Sequence, residues 1–317
     1  MQKRILFIDT THPVIREELE AHGFQCDFFT AYKRTDFERI IHRYHGVIIR
    51  SKITLDKNML EKAEQLEFIG RVGAGMENIN TEYAKSHNIV CFNSPEGSRD
   101  AVGEHTLGLL LALARNIIRS DREVRQAEWK REKNRGFELK GKTIGIIGYG
   151  NMGSAFAEKL QGFGAEVIAY DKYKSGYGNN FVVETSLDEV FERSDVCSLH
   201  VPLTEETTYM VNRNFIDQFK KNIYLLNTAR GKVLRTDDLV NAIKSGKVKG
   251  AALDVIEYED MSFEKLGTKK LTEAFQFLSN SDRVVLSPHI AGWTQESKYK
   301  LGKVLVDKII AYLNRID

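Results

Sequence analysis

Short apolar runs alternate with longer amphipathic ones along most of this chain. Near the N-terminus Arg4 to Asp9, Gly46 to Arg50, Phe68 to Gly73 and Ile89 to Phe92 read as strands. Between them Val14 to His22, Asp56 to Ala63 and Thr81 to His87 read as helices. This β/α alternation is the signature of a parallel sheet covered by helices. A longer helix is expected from about Asp100 to Trp129. Its first half is apolar almost all round (Leu107, Leu109 to Leu111, Leu113) and the stretch from Arg119 to Arg135 is densely charged, so it should be buried early and solvated late.

After Gly141 the alternation resumes. Strands are expected at Thr143 to Ile147, Glu166 to Tyr170, Val196 to His200, Ile223 to Asn227, Gly250 to Val255 and Val284 to Leu286. Helices are expected at Asn151 to Phe163, Asp237 to Ser245 and Gln295 to Leu313, with a polar, amphipathic insert from Met261 to Asn280. Two such series joined by one long helix predict two α/β domains, each a doubly wound parallel sheet of the Rossmann type. An active-site cleft is expected between them, since small ligands favour such clefts. Pro95, Pro202 and Pro288 fall just past the carboxyl ends of expected strands, the edge that lines the ligand crevice in open α/β sheets.

Composition narrows the partners. A length of 317 residues suits two domains, and 42% hydrophobic with 28% charged residues describes a globular protein. A formal charge of +2 leaves no general footprint for nucleic acid or an anionic membrane. The longest apolar stretch, Leu107 to Ala114, falls short of the roughly 20 residues of a spanning helix, and Ile5 to Ile8 is too short for a signal peptide's core. Cys26, Cys91 and Cys197 lie far apart with no CxxC, and read as reduced core residues of a cytoplasmic protein without metal or disulfide.

One motif points to a cofactor. The strand ending at Ile147 runs into Gly148-Tyr149-Gly150-Asn151-Met152-Gly153, a helix follows, and the next strand ends before Asp171, 23 residues after Gly148. In that context GxGxxG is a dinucleotide fingerprint. Gly148 permits the tight turn, Gly150 lets a pyrophosphate approach the backbone, and Gly153 lets helix and strand pack closely. Asp171 would accept hydrogen bonds from the ribose hydroxyls and repel a 2′-phosphate, which favours NAD over NADP, although Lys172 and Lys174 could screen a phosphate. Gly73-Ala74-Gly75 also follows a strand, but Asn78 stands where the third glycine belongs, so a second dinucleotide site is not expected.

These and further segments resemble the D-isomer-specific 2-hydroxyacid dehydrogenases over Val47 to about Thr294. The likeness is carried by Val72-Gly-Ala-Gly75, Glu104-His-Thr-Leu-Gly, Glu138-Leu-Lys-Gly, His200-Val-Pro-Leu-Thr204, Asn227-Thr-Ala-Arg-Gly231, Ala252-Leu-Asp-Val255 and Ser287-Pro-His289. The resemblance implies a flavodoxin-like substrate-binding domain of residues 1–97 plus 294–317, an NAD-binding Rossmann domain of residues 98–293, and a homodimer formed through the latter. It implies NAD-dependent interconversion of a D-2-hydroxy acid and its 2-keto acid. It also implies cofactor contacts from Thr106, His200, Val201, Pro202, Thr207, Thr228, Ala229 and Gly292, with Asp254 accepting from the nicotinamide carboxamide. Substrate contacts would come from Arg50-Ser51-Lys52 and from the backbone of Gly73-Ala74-Gly75.

Three positions then compose a chemistry. Arg230, past the end of a strand, would clamp the substrate carboxylate with its planar guanidinium. His289, behind Pro288, belongs to the side-chain type whose ordinary pKa of about 6.5 suits proton exchange near neutrality, and would give a proton to the keto oxygen. By resemblance Glu259, five residues beyond Asp254, would orient the other ring nitrogen; Asp260 replaces the usual proline after it, and Glu257 remains an alternative. The other class compatible with this fold is an NAD(H)-sensing, corepressor-like interaction protein. The end of the chain shortly after its last helix, and the lack of a basic stripe, favour the enzyme.

Overall fold

A computed structural model describes residues 2–259 and 272–314. Residues 2–99 with 293–314 make one compact unit, and residues 100–259 with 272–292 another.

The first unit carries β1 (Arg4–Phe7), α1 (Pro13–Ala21), β2 (Gln25–Phe28), α2 (Arg34–Ile40), β3 (Gly46–Ile49), α3 (Lys57–Leu60), β4 (Phe68–Arg71), α4 (Thr81–Ser86) and β5 (Val90–Asn93). Its strands are all parallel in the order β2-β1-β3-β4-β5, the flavodoxin arrangement. Successive side chains alternate between faces. Leu6, Val47, Ile49 and Ile69 pack with Phe37 and Met59, while Ile5, Phe7, Ile48 and Phe68 pack with Ile15, Leu305 and Ile309. Both faces are covered, which is why these strands read as unbroken apolar runs.

The second unit begins with α5 (Arg99–Ala114) and α6 (Ile117–Arg125). The single long helix expected there is therefore two. Asn116 adopts the left-handed conformation (φ 53°), and the charged segment folds back so that Phe137 N–H donates to Ala114 O at 3.0 Å. A β-carbon on Gly136 would stand 2.3 Å from that same oxygen, so the return is close. Then follow β6 (Thr143–Ile147), α7 (Asn151–Lys159), β7 (Glu166–Tyr170), β8 (Val182–Glu184), α8 (Leu187–Arg193), β9 (Val196–Leu199), α9 (Arg213–Gln218), β10 (Ile223–Asn227), α10 (Thr236–Ser245), β11 (Val248–Leu253), α11 (Glu273–Asn280) and β12 (Val284–Leu286). α12 (Gln295–Leu313) belongs to the first unit. Of the expected insert, residues 261–271 lie outside the described residues, and the remainder is mostly α11.

The second sheet is parallel throughout, in the order β12-β11-β10-β9-β6-β7-β8. The chain leaves β6 towards β7 and β8, then returns to β9 on the opposite side. The order reverses between β6 and β9, and in such sheets the ligand crevice opens at that point, outside the carboxyl ends of the strands.

Candidate active site

The turn after β6 stands at this reversal. Gly148 has φ 93°, and a β-carbon on it would lie 2.7 Å from His200 O. A β-carbon on Gly153 would lie 2.0 Å from Gly148 O, so only glycine lets α7 pack this close to its strand. Gly150 is different: nothing lies within 4 Å of where its β-carbon would be, and as the N-cap of α7 it supplies no side-chain cap. The backbone at Gly150 is thus approachable where a nine-residue helix begins, and the first amides of a helix are the donor set that suits a diphosphate.

Asp171, just past β7, fixes the rim of this turn. Its Oδ2 accepts Tyr149 N–H at 2.7 Å, and its Oδ1 accepts Tyr173 N–H at 2.9 Å and Lys174 N–H at 3.1 Å. A carboxylate has about four lone-pair sites, so this one still has capacity for a ribose hydroxyl. The neighbouring cations are engaged: Lys172 pairs with Glu206, which also accepts from Tyr173 Oη, and Lys174 Nζ lies 3.5 Å from Tyr149 O. The Tyr149 ring stacks on Tyr177 at 4.5 Å.

Other residues expected to touch the cofactor are busy holding the protein. Thr106 Oγ1 donates to Val102 O at 2.7 Å and lies 3.0 Å from Thr228 Oγ1, both buried. Thr207 Oγ1 donates to Pro202 O at 2.6 Å and so closes the loop that begins at Val201. His200 packs its ring on Phe156, with Nε2 2.8 Å from Ser198 Oγ, while Nδ1 has no partner among the described residues. Burial pushes its pKa down to about 3, so the ring is neutral at physiological pH.

The ends of the adjacent strands β10, β11 and β12 carry the three residues expected to do chemistry. At β10, Asn227 Oδ1 accepts Ala229 N–H at 3.0 Å and its Nδ2 donates to Arg230 O at 3.1 Å, so one buried amide brackets the Arg230 turn. Arg230 Nη1 donates to Ala229 O at 2.8 Å. A β-carbon on Gly231 would lie 2.0 Å from Ile256 O, which brings this turn into backbone contact with the loop after β11.

In that loop two carboxylates diverge. Glu259 Oε2 lies 2.6 Å from His289 Nδ1 and its Oε1 accepts Ile256 N–H at 2.5 Å. Glu257 Oε1 instead accepts Thr236 N–H at 2.8 Å at the start of α10. Because a carboxylate only accepts, the short contact requires a proton on Nδ1 of His289. The neutral ring then leaves Nε2 as its acceptor, and the protonated ring makes Nε2 a donor.

Asp254, at the end of β11, is 2% exposed. Its Oδ1 accepts Ser287 Oγ–H at 2.6 Å and Ile290 N–H at 2.9 Å, its Oδ2 accepts Ala291 N–H at 2.9 Å, and its main-chain oxygen accepts His289 N–H at 2.7 Å. His105 Nε2 lies 3.3 Å from Oδ1 and 3.0 Å from Ser287 Oγ. Burial pushes the Asp254 carboxyl up, yet its contacts with His105, Ser287, Ala291 and Ile290 together hold it below the usual carboxylate range. His105, at the buried start of its helix, reads from the sequence as structural or cofactor-lining; Asn227 and Ser287 were not found as supports, because their partners leave no spacing pattern.

Residues expected to contact substrate in the first unit cluster at the ends of β3 and β4. Asp9 Oδ2 accepts Arg50 N–H at 2.6 Å, and Asn78 Nδ2 donates to the carbonyls of Arg50 and Ile53 at 3.1 and 3.2 Å. Arg50 stacks over Trp293 at 5.0 Å, and Lys52 Nζ donates to Thr30 O beside Phe37. Ser51 lies between these two cations in the same loop. Gly73 (φ 143°) exchanges hydrogen bonds with Ser94, and Asn93 Nδ2 donates to Ala74 O at 2.7 Å, just before Gly75.

Comparison with known proteins bears on this arrangement. The family described as D-isomer specific 2-hydroxyacid dehydrogenase, NAD binding domain, matches residues 107–291, more than half of the chain. The chain belongs to this family. It is 36% identical over 299 residues to a hydroxypyruvate reductase of Thermotoga maritima, covering 94% of this chain and 92% of that one. It is 33% identical over 303 residues to a D-3-phosphoglycerate dehydrogenase of Archaeoglobus fulgidus, covering 94% of this chain but only 55% of that protein, so it spans about half of such longer relatives. A crystal structure of D-lactate dehydrogenase from Aquifex aeolicus, complexed with NAD and lactic acid, superposes with a TM-score of 0.84 at 29% identity over 98% of this chain and 96% of that one. Among 2-hydroxyacid dehydrogenases, then, this chain has relatives whose names carry three different acids. No helix among its described residues is long and apolar enough to cross a membrane, and no group of three His, Cys, Asp or Glu there could hold a metal ion.

Proposed function

We propose that this chain is an NAD-dependent oxidoreductase that interconverts a D-2-hydroxy acid and its 2-keto acid. The observation that carries the reading is the 2.6 Å contact between His289 Nδ1 and Glu259, on the sheet edge that also presents Arg230. The second unit is the NAD-binding domain, and the first the substrate-binding domain.

Gly148 to Gly153, the amides opening α7 and Asp171 would hold the dinucleotide. Bound nicotinamide supplies or accepts the hydride. Arg230 binds the substrate carboxylate through its planar fork and draws density from the adjacent carbonyl. In reduction, His289 donates the proton on Nε2 to the keto oxygen; in oxidation, Nε2 takes the hydroxyl proton. Glu259 keeps Nδ1 protonated throughout, which leaves Nε2 as the ring atom that exchanges the proton. Asp171 and the pairing of Lys172 with Glu206 support NAD over NADP, since the carboxylate would repel a 2′-phosphate and the pairing engages a cation that could otherwise screen it.

Exposed Ile117, Ile118, Val124 and Trp129 in the second unit support a homodimer through that unit, which sedimentation equilibrium would test. Three free cysteines fit a cytoplasmic location. The activity itself is tested by NADH oxidation with pyruvate, glyoxylate, hydroxypyruvate and phosphohydroxypyruvate. Turnover of at least one, abolished by His289→Ala, is expected; no turnover of any 2-keto acid would refute the reading.

A further inference from the structure

His289 is a non-glycine residue in the left-handed region, φ 57°, a conformation that is unfavourable for an L-residue and persists only where surroundings impose it. Three successive amides at this turn, His289 N–H, Ile290 N–H and Ala291 N–H, all end on one residue, Asp254. The first reaches its main-chain oxygen, the second Oδ1 and the third Oδ2. Ser287 on the other side of Pro288 adds its hydroxyl to Oδ1, and Ser287 N–H donates to Leu253 O at 3.0 Å. His105, on α5, contacts both Ser287 and Asp254. The neighbour of Asp254 along β11 therefore holds one flank of the turn, and Asp254 holds the other.

From this geometry we propose that Asp254, supported by Ser287 and His105, is a positioning residue that forces the His289 turn into its left-handed shape and thereby aims Nδ1 at Glu259. The proposal rests on the reading of His289 as the proton-carrying group. It adds a role that a contact with nicotinamide would not supply. Hydrogen bonds to a buried carboxylate are charge-assisted and about twice as strong as neutral ones, enough in this number to outweigh the cost of the turn. A released turn would relax to ordinary backbone angles, and the imidazole would swing with it.

The test combines kinetics with ring ¹⁵N chemical shifts of the histidine-labelled full chain, the His289 signal being assigned by its loss in His289→Ala. Wild type should show the neutral ring protonated at Nδ1. Asp254→Asn keeps the shape but turns one acceptor into a donor facing an N–H. It should lower kcat for keto-acid reduction by roughly 10- to 100-fold, as loss of an orienting partner typically does. It should also convert the His289 signal to a mixture of tautomers, as Glu259→Gln should. Where Asp254→Asn fails to fold, Ser287→Ala, which removes one donor only, decides: a several-fold loss of kcat with the same spectral change is expected. A variant that keeps the wild-type tautomer overturns the proposal, and so does one that merely weakens NADH binding. If wild type itself lacks the Nδ1–H tautomer, or His289→Ala stays active, it is the reading of His289 that falls.

Discussion

Two strand ends in the second sheet use the same device to opposite purpose. Asp171 after β7 and Asp254 at the end of β11 each collect backbone amides from a neighbouring turn, Tyr149 in one case and Ile290 with Ala291 in the other. Asp171 stays partly exposed, beside a glycine turn whose Gly150 faces open space. Asp254 is 2% exposed and its oxygens are filled by the protein. An acid at the end of a parallel strand can thus be a ligand group or a structural template, and its lone pairs tell which. On the reading proposed above, the β6–β7 end would bind and the β11–β12 end would hold one imidazole in one orientation.

This contrast is broken most sharply at its extremes. His289→Ala should lower kcat for keto-acid reduction by roughly 10² to 10⁴, as for loss of a general acid, while NADH affinity measured by fluorescence stays within a few-fold of wild type. Equal losses in both would mean that the two ends do not divide the work.

Acidification separates buried from open groups. His200 holds its pKa near 3 in the folded chain, against about 6.5 unfolded, so the unfolded chain binds the extra proton first and stability falls as pH drops below about 6.5. At pH 4.5 that loss amounts to about 2–3 kcal/mol. Asp254 adds nothing in this window: its lowered value stabilises the fold above the unfolded pKa of about 3.9, and the gain disappears only as pH falls through the folded value. His200→Asn should therefore flatten the decline in urea-unfolding free energy between pH 6.5 and 4.5. A slope equal to wild type would assign the acid sensitivity elsewhere.

At the binding end, Asp171→Ala should narrow the preference for NADH over NADPH, by about tenfold, without touching the kcat that remains at saturating cofactor. An unchanged ratio of the two kcat/KM values would remove Asp171 from cofactor choice. The smallest effect is expected from Glu206→Gln, which frees the exposed Lys172. Exposed pairs contribute little, so the KM for NADPH should fall by no more than a few-fold.

Much of this was legible in the chain. Both sheets appear as apolar runs because parallel strands are covered on both faces, and the turn at Gly148 announces itself by three glycines, of which Gly148 and Gly153 are each required by a close approach while Gly150 faces open space. The strands that pattern reading misses are β2 and β8, edge strands with polar residues such as Gln25, Asp27 and Glu184 and little buried surface. The long helix was split by Asn116 because a left-handed residue leaves the apolar period on either side intact. The resemblance favours Glu259 and keeps Glu257 as an alternative, since two similar acids two positions apart differ only in what the fold brings to them: Thr236 N–H for Glu257 and an imidazole for Glu259. Asp254 is marked in the sequence only through the resemblance, which implies a carboxamide contact; its bonds to the His289 turn leave no trace there, because its partners are amides that every residue possesses.

Gly231 carries a last consequence. With its missing methyl group only 2.0 Å from Ile256 O, the Arg230 turn and the Glu259 loop touch backbone to backbone and have no slack between them. For anyone redesigning this molecule, the spacing between the cation and the acid is a fixed dimension rather than an adjustable one. Lengthening or re-angling one loop drags the other along. A broader range of acids would have to be engineered through residues away from this contact, and Gly231→Ala would serve as a minimal wedge for measuring how stiff the joint is.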